Sequence, residues 1–192
     1  MKLILASSSP RRVQLLKENG IRFTIVKHGA DEEAVIKRLK SHDPVKVANM
    51  VAYAKAFSVA SKIKKGLVLG SDTIVVINNK IIGKPTSIKD AEKILGTLSK
   101  GTHRVITSIV FMDAATYKTV ITHDISYVTF KKLSKDWIKK YVRTNNVMDK
   151  AGAYAVQENS DPFIKEVKGS YSNVVGLPIE KVKSVLKHWE KL

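Results

Sequence analysis

The chain has 192 residues, 34 of them basic and 17 acidic, for a formal net charge of +17. That length suits one domain, or two closely fused lobes, and can bury a sizeable core. Apolar residues make up 44% and cysteine is absent, which argues against disorder and excludes disulfides, thiolate metal sites and a cysteine nucleophile.

The opening MKLILASSSPRR starts like a signal peptide, but its apolar run ends at Ala6 and two arginines follow Pro10. No later run nears the roughly 18 apolar residues that span a bilayer. A cytoplasmic protein is expected. Residues 2–6 predict a buried strand. Ser9 and Pro10 then suit an N-cap and first helical position, and Gly20 suits the stop. Residues 22–27 predict a second strand. Asp43-Pro44 opens the clearest helix, carried by the pattern to Gly66. Its apolar stripe of Ala48, Val51, Ala52, Val59 and Ile63 contains Lys55. A lysine there needs an anionic partner, or must snorkel to water.

Residues 66–84 predict a strand, a break near Gly70-Ser71-Asp72, and a hairpin turning at Asn78-Asn79. Ser87 to Asp90 has capping-box form and leads into a helix closed by Gly101. Residues 103–112 and 117–130 predict long antiparallel strands. Ser134 caps a helix with Trp137 and Tyr141 one turn apart. Short strands are expected within 151–175, and Pro178 opens a last helix. The expected fold is α/β: an elongated mixed sheet flanked by helices, with two lobes of one 1–192 domain around a central cleft.

The polar residues concentrate at a few places. Ser7, Ser8, Ser9, Arg11 and Arg12 sit where a strand hands over to a helix N-terminus, which suits an anion. A capped surface helix is the plainer reading. No Walker loop is present. Asp72 is framed by two apolar runs, so it binds a metal, accepts hydrogen bonds or faces a cleft. Asp31-Glu32-Glu33 reads as an acidic helix start. One of these carboxylates with Asp72 could instead hold magnesium, which takes few protein carboxylates. Lys84, between Gly83 and Pro85, could set an ammonium against a phosphate. The five histidines show no i,i+4 pairing, which argues against zinc. The net charge points to nucleic acid, an acidic membrane surface or a phosphorylated small molecule, unless the lysines are simply a solvated surface.

Taken together, the segments resemble a known family. L-I-L-A-S-S-S-P-R-R at Leu3–Arg12, A-D-E at Ala30–Glu32, A-K-A at Ala54–Ala56, G-S-D-T-I-V at Gly70–Val75 and G-K-P at Gly83–Pro85 are similar to the Maf family of nucleoside triphosphate pyrophosphatases. So are L-S-K-G-T-H at Leu98–His103, D-K-A-G-A-Y-A-V-Q at Asp149–Gln157 and G-S-Y-S-N-V-V-G-L-P at Gly169–Pro178. The resemblance implies a fold shared with inosine triphosphate pyrophosphatases. It implies cleavage of a nucleoside triphosphate between the α and β phosphates, with Mg2+ or Mn2+. Asp72 would be the catalytic acidic residue, and Glu32 and Asp72 would hold the metal. Ser7, Arg11, Arg12, Lys55 and Lys84 would meet the substrate. Arg11, Thr73 and Gln157 match the branch that prefers dTTP and UTP over the one that prefers 7-methyl-GTP. The family usually has alanine where this chain has Ser71. The implied partner is a pyrimidine nucleotide, with a homodimer as a family-level expectation and neither membrane nor nucleic acid required. The rival reading is a nucleotide-sensing, DNA-binding or septation-regulating protein without turnover.

Overall fold

The computed structural model describes residues 2–99, 101–154, 156 and 162–189. The chain begins with β1 (Leu3–Leu5), α1 (Pro10–Glu18), β2 (Thr24–Ile25), α2 (Glu32–Leu39) and α3 (Pro44–Ala60). It continues with β3 (Leu67–Ile77), β4 (Lys80–Ile82), α4 (Ile88–Leu98), β5 (Thr102–Asp113) and β6 (Thr119–Phe130). Last come α5 (Lys135–Thr144), a 3-10 turn (Ala151–Ala153), β7 (Ile164–Lys168), α6 (Tyr171–Val175) and α7 (Ile179–His188). One sheet collects the seven strands in the order β2-β1-β3-β5-β6-β7, with β4 also on β3. β1 runs parallel to β2 and β3, and the other pairs are antiparallel. The mixed α/β expectation holds.

Alternation along β3 and β5 sends residues to two differently packed faces. Val68, Val110 and Met112 meet Ala52, Ala56 and Val59 of α3. Leu67, Leu69, Ile109 and Phe111 meet Leu16 of α1 and Ile179 and Val182 of α7. Further along that second face, Val75 and Val105 meet Leu95 of α4 and Val142 of α5. The two clusters on this face are separated by Ser71, Thr73 and Thr107.

The predicted break at Gly70-Ser71-Asp72 is absent, because β3 is continuous through it. Gly70 is there for another reason. A Cβ on it would lie 2.4 Å from the Ala52 carbonyl oxygen and 2.7 Å from the Ala56 nitrogen. The glycine lets α3 lie almost against the strand. The hairpin turns as predicted, with Asn78 and Asn79 both at positive φ. The long helix stops at Ala60 rather than Gly66, since the chain must reverse before entering β3. Within 151–175, where short strands were expected, Ile164–Lys168 is a strand and residues 171–175 are helical. The Ser170 side chain caps them by accepting from the Asn173 N–H, overriding the β propensity of Tyr and Val.

His103, from the L-S-K-G-T-H segment, is a core residue. Its Nε2 lies 2.7 Å from the Tyr154 hydroxyl, and its ring stands edge-on to Phe130. Burial lowers its pKa to about 4. The unfolded chain therefore binds a proton that the folded chain refuses between about pH 6.5 and pH 4. Stability from this group is complete above that window and falls as pH drops through it, by roughly 3 kcal/mol in all. Urea unfolding at pH 7 and pH 4.5 should show His103→Gln losing less stability on acidification than the parent. Gly70→Ala should lower unfolding free energy by about 3 kcal/mol, at the upper end for overpacking, because the clash is with backbone. The same urea titrations measure it.

Candidate active site

The site follows from a gap in the sheet. On one side, β3 pairs with β5 along nearly its whole length. On the other, β1 covers only Leu67–Leu69 and β4 only Val75–Ile77. Residues 70–74 therefore have no strand beside them on that edge. Side chains from both faces of β3 can meet at this opening. The segment after β1 lines one bank, and the Gly83-Lys84-Pro85 turn after β4 lies beyond the other.

Asp72 points to the α3 face, the same face as Gly70. The close approach of α3 at Gly70 brings Lys55 over it. Lys55 Nζ donates to Asp72 Oδ1 at 2.7 Å and lies 3.0 Å from Glu32 Oε1. Lys55 is 5% exposed, so it does not snorkel. The acidic run divides its labour. The Asp31 side chain caps α2 by accepting from the Ala34 N–H, Glu33 is exposed, and Glu32 turns to Lys55. Burial would raise the Glu32 pKa, but the charge and hydrogen bond of Lys55, with Lys84 and His28, outweigh it and lower it. Two carboxylates that already converge on one cation fit a divalent ion that takes its other ligands from water and phosphate. Among the described residues no group of three or more potential protein ligands gathers.

Arg12 lies on the other face, buried, with four of its five donors on protein groups. Its Nε donates to the Gly176 carbonyl at 2.9 Å, and Nη1 donates to the Ser71 carbonyl at 2.9 Å and to Ser7 Oγ at 3.3 Å. Its Nη2 donates to Thr73 Oγ1 at 3.0 Å. The Ser71 carbonyl belongs to the open edge, so the guanidinium takes the place of a missing strand there. Thr73 and Thr107 are directly opposed, with hydroxyl oxygens 3.0 Å apart. Thr107 donates to the Asn173 carbonyl, so Thr73 is the donor to Thr107. Asn173 Nδ2 in turn donates to the Val105 carbonyl and Ser126 Oγ. This seam fills the gap between the two apolar clusters. Burial pushes the Arg12 guanidinium below its ordinary pKa, opposed by the Asp72 charge.

The sequence profile of a family described as Maf-like protein matches residues 2–189. The chain belongs to the Maf-like protein family. It is 44% identical over 190 residues to the dTTP/UTP pyrophosphatase of Alkaliphilus metalliredigens, across 98% of this chain and 96% of that protein. It is 41% identical to the dTTP/UTP pyrophosphatase of Pelotomaculum thermopropionicum, over 97% of this chain and 95% of that one. The same name belongs to a Clostridioides difficile relative, 41% identical over 98% of this chain and 95% of its own length.

The Maf-like motifs take on separate physical roles. The structure gathers Glu32, Lys55 and Asp72 on one face and Ser7, Arg12 and Thr73 on the other. Lys84 is exposed, and near enough to Glu32 to act on its charge. Arg11 is half-buried, and its charge acts on Asp149 and Tyr154. Gln157 lies outside the described residues. Ser71 has a buried hydroxyl without a hydrogen-bond partner among the described residues. Sequence reasoning missed Thr107, Asn173 and His28. The G-S-Y-S-N-V-V-G segment signalled Asn173 without giving it a task. His28 had no signal; burial first, and then the Lys55 charge, lower its pKa.

Arg12 and Lys84 should separate in a stability measurement. Arg12→Lys cannot rebuild the fork of bonds and should lose about 2–3 kcal/mol in chemical denaturation. Lys84→Met should stay within about 0.5 kcal/mol of the parent.

Proposed function

We propose that the chain is a nucleoside triphosphate pyrophosphatase that converts dTTP and UTP to the monophosphate and pyrophosphate. The observation that carries this reading is the buried Lys55–Asp72 pair at the open edge of β3, in a chain whose near-full-length relatives bear that name. The substrate lies along the opening. Asp72 accepts a proton from a water aligned on the α-phosphorus. Glu32 and Asp72 would hold the divalent ion. That ion, magnesium or manganese, would supply charge neutralisation for the triphosphate. Lys55, Lys84 and Arg11 offset charge on the phosphates and on departing pyrophosphate. Ser7 and Arg12 hold the strand-to-helix turn against β3. Phosphoryl chemistry depends largely on position and electrostatics, so these cations account for much of the rate.

The preference for dTTP and UTP rests on Arg11, Thr73 and Gln157, which match that branch of the family. A glutamine amide offers one donor and one acceptor, as a uracil or thymine edge does. The net charge of +17 favours a polyanionic substrate by long-range attraction. The reading also carries one catalytic unit of two lobes, a cytoplasmic location and a homodimer. Among the described residues, no helix is long and apolar enough to cross a membrane.

Pyrophosphate release from dTTP, UTP, CTP, dATP, GTP, ITP and 7-methyl-GTP tests the proposal. The expected result is turnover centred on dTTP and UTP. Asp72→Asn should lower it by on the order of 100- to 10,000-fold while circular dichroism stays native. Turnover centred on 7-methyl-GTP would overturn the specificity argument, and turnover that survives Asp72→Asn would overturn the role of Asp72.

A further inference from the structure

The carboxylates assigned to the metal already hold a cation. Lys55 Nζ lies 2.7 Å from Asp72 Oδ1 and 3.0 Å from Glu32 Oε1. The Lys55 side chain is enclosed, and a buried ammonium cannot simply give up its partners. The neighbouring cation cannot replace it. Arg12 lies on the opposite face of β3, and four of its five donors are held by Ser7, Ser71, Thr73 and Gly176. A divalent ion entering between Asp72 and Glu32 would compete with the ammonium for the same oxygens, and the two like charges would repel.

We propose that Lys55 is a place-holding cation that keeps free metal out of the site until a triphosphate arrives. The triphosphate brings new anionic partners for the ammonium. Lys55 then moves from the carboxylates to the phosphates as the metal takes the carboxylates. Metal and nucleotide therefore bind with strong mutual assistance. Linkage makes that assistance reciprocal, so each raises the affinity of the other by one factor. The device prevents an ordinary cellular cation from occupying the carboxylates without substrate. This inference deepens the pyrophosphatase reading and rests on its metal assignment.

The test is a Mn2+ titration of the full chain, following the paramagnetic resonance signal of free Mn2+. It is run without nucleotide and with a dTTP analogue whose α,β-bridge is an uncleavable imido group. The parent should bind Mn2+ weakly alone and on the order of tenfold or more tighter with the analogue. Lys55→Met should bind Mn2+ alone at least about tenfold tighter than the parent and gain less from the analogue than the parent does, once the analogue's own Mn2+ binding, measured without protein, is subtracted. Lys55→Gln, also neutral but polar, guards against misfolding of the methionine variant. For both variants, added Mn2+ should raise the melting temperature more than it does in the parent. Glu32→Gln in the Lys55→Met background should remove the new affinity. Equal Mn2+ affinity of the parent with and without analogue would overturn the proposal. So would neutral Lys55 variants that fold but bind free Mn2+ no better. Pyrophosphate release by the parent separates the two claims. Turnover of dTTP with no gain at Lys55→Met sinks only the place-holder, whereas a parent that cuts no nucleotide sinks the functional reading itself.

Discussion

A buried lysine between two carboxylates is the constraint on which the site depends. An ammonium taken out of water costs several kcal/mol unless its geometry returns that cost. The return here needs three elements at once. α3 must lie close enough for Lys55 to reach β3, which requires glycine at position 70 and alanines at 52 and 56. β3 must present Asp72 on that face, and α2 must bring Glu32 from the side. Asp31 contributes by capping α2, which fixes the position of the residue after it. The A-K-A and G-S-D segments are thus two halves of one contact.

The opening beside residues 70–74 explains why chemistry belongs at this point of the sheet. A central strand is normally hydrogen-bonded on both sides. Here β1 leaves β3 after Leu69 and β4 joins it only at Val75. The exposed strand edge would be a liability in an ordinary fold. Arg12 covers part of it by donating to the Ser71 carbonyl, and its other bonds fasten the same edge to the Gly176 loop. Binding groups can therefore come from both faces of one strand, with Asp72 on one side and Thr73 on the other.

Much of the fold was legible because local signals agreed. Asn78-Asn79 announced its turn, and the β-branched runs over β5 and β6 announced long antiparallel strands. The failures have physical causes. Gly70 looked like a break because sequence cannot tell a glycine that bends a chain from one that admits a neighbouring helix. Short strands within 151–175 were legible only as a range, because one of them forms at Ile164–Lys168 while a cap from Ser170 turns Tyr171–Val175 into a helix. Asp72 and Lys55 were legible because each broke a rule, a charge within an apolar pattern. Arg12 was legible as part of the site, but its partners were not. Three of them, Ser71, Thr73 and Gly176, lie far along the chain, and two of its bonds go to backbone carbonyls that carry no sequence signature.

Charge gives the last link between fold and function. Arg11, Arg12, Lys55 and Lys84 outnumber Glu32 and Asp72 around the opening. Without a ligand, the two carboxylates and Lys55 largely satisfy one another, while Arg12 is offset by carbonyl and hydroxyl dipoles and, from further away, by Asp72 and Glu32. The remaining excess is positive. A bare divalent ion would add to that excess, whereas a triphosphate carrying its metal is a net anion and removes it. The electrostatics thus select for the metal–nucleotide pair over either cation or neutral nucleoside. The hydroxyl–amide seam holds this arrangement rigid, because Thr73, Thr107 and Asn173 already direct their bonds along one line before any substrate arrives. Fixed dipoles and charges of this kind need no rearrangement of their own when charge develops on the leaving pyrophosphate, which is the condition for electrostatic catalysis.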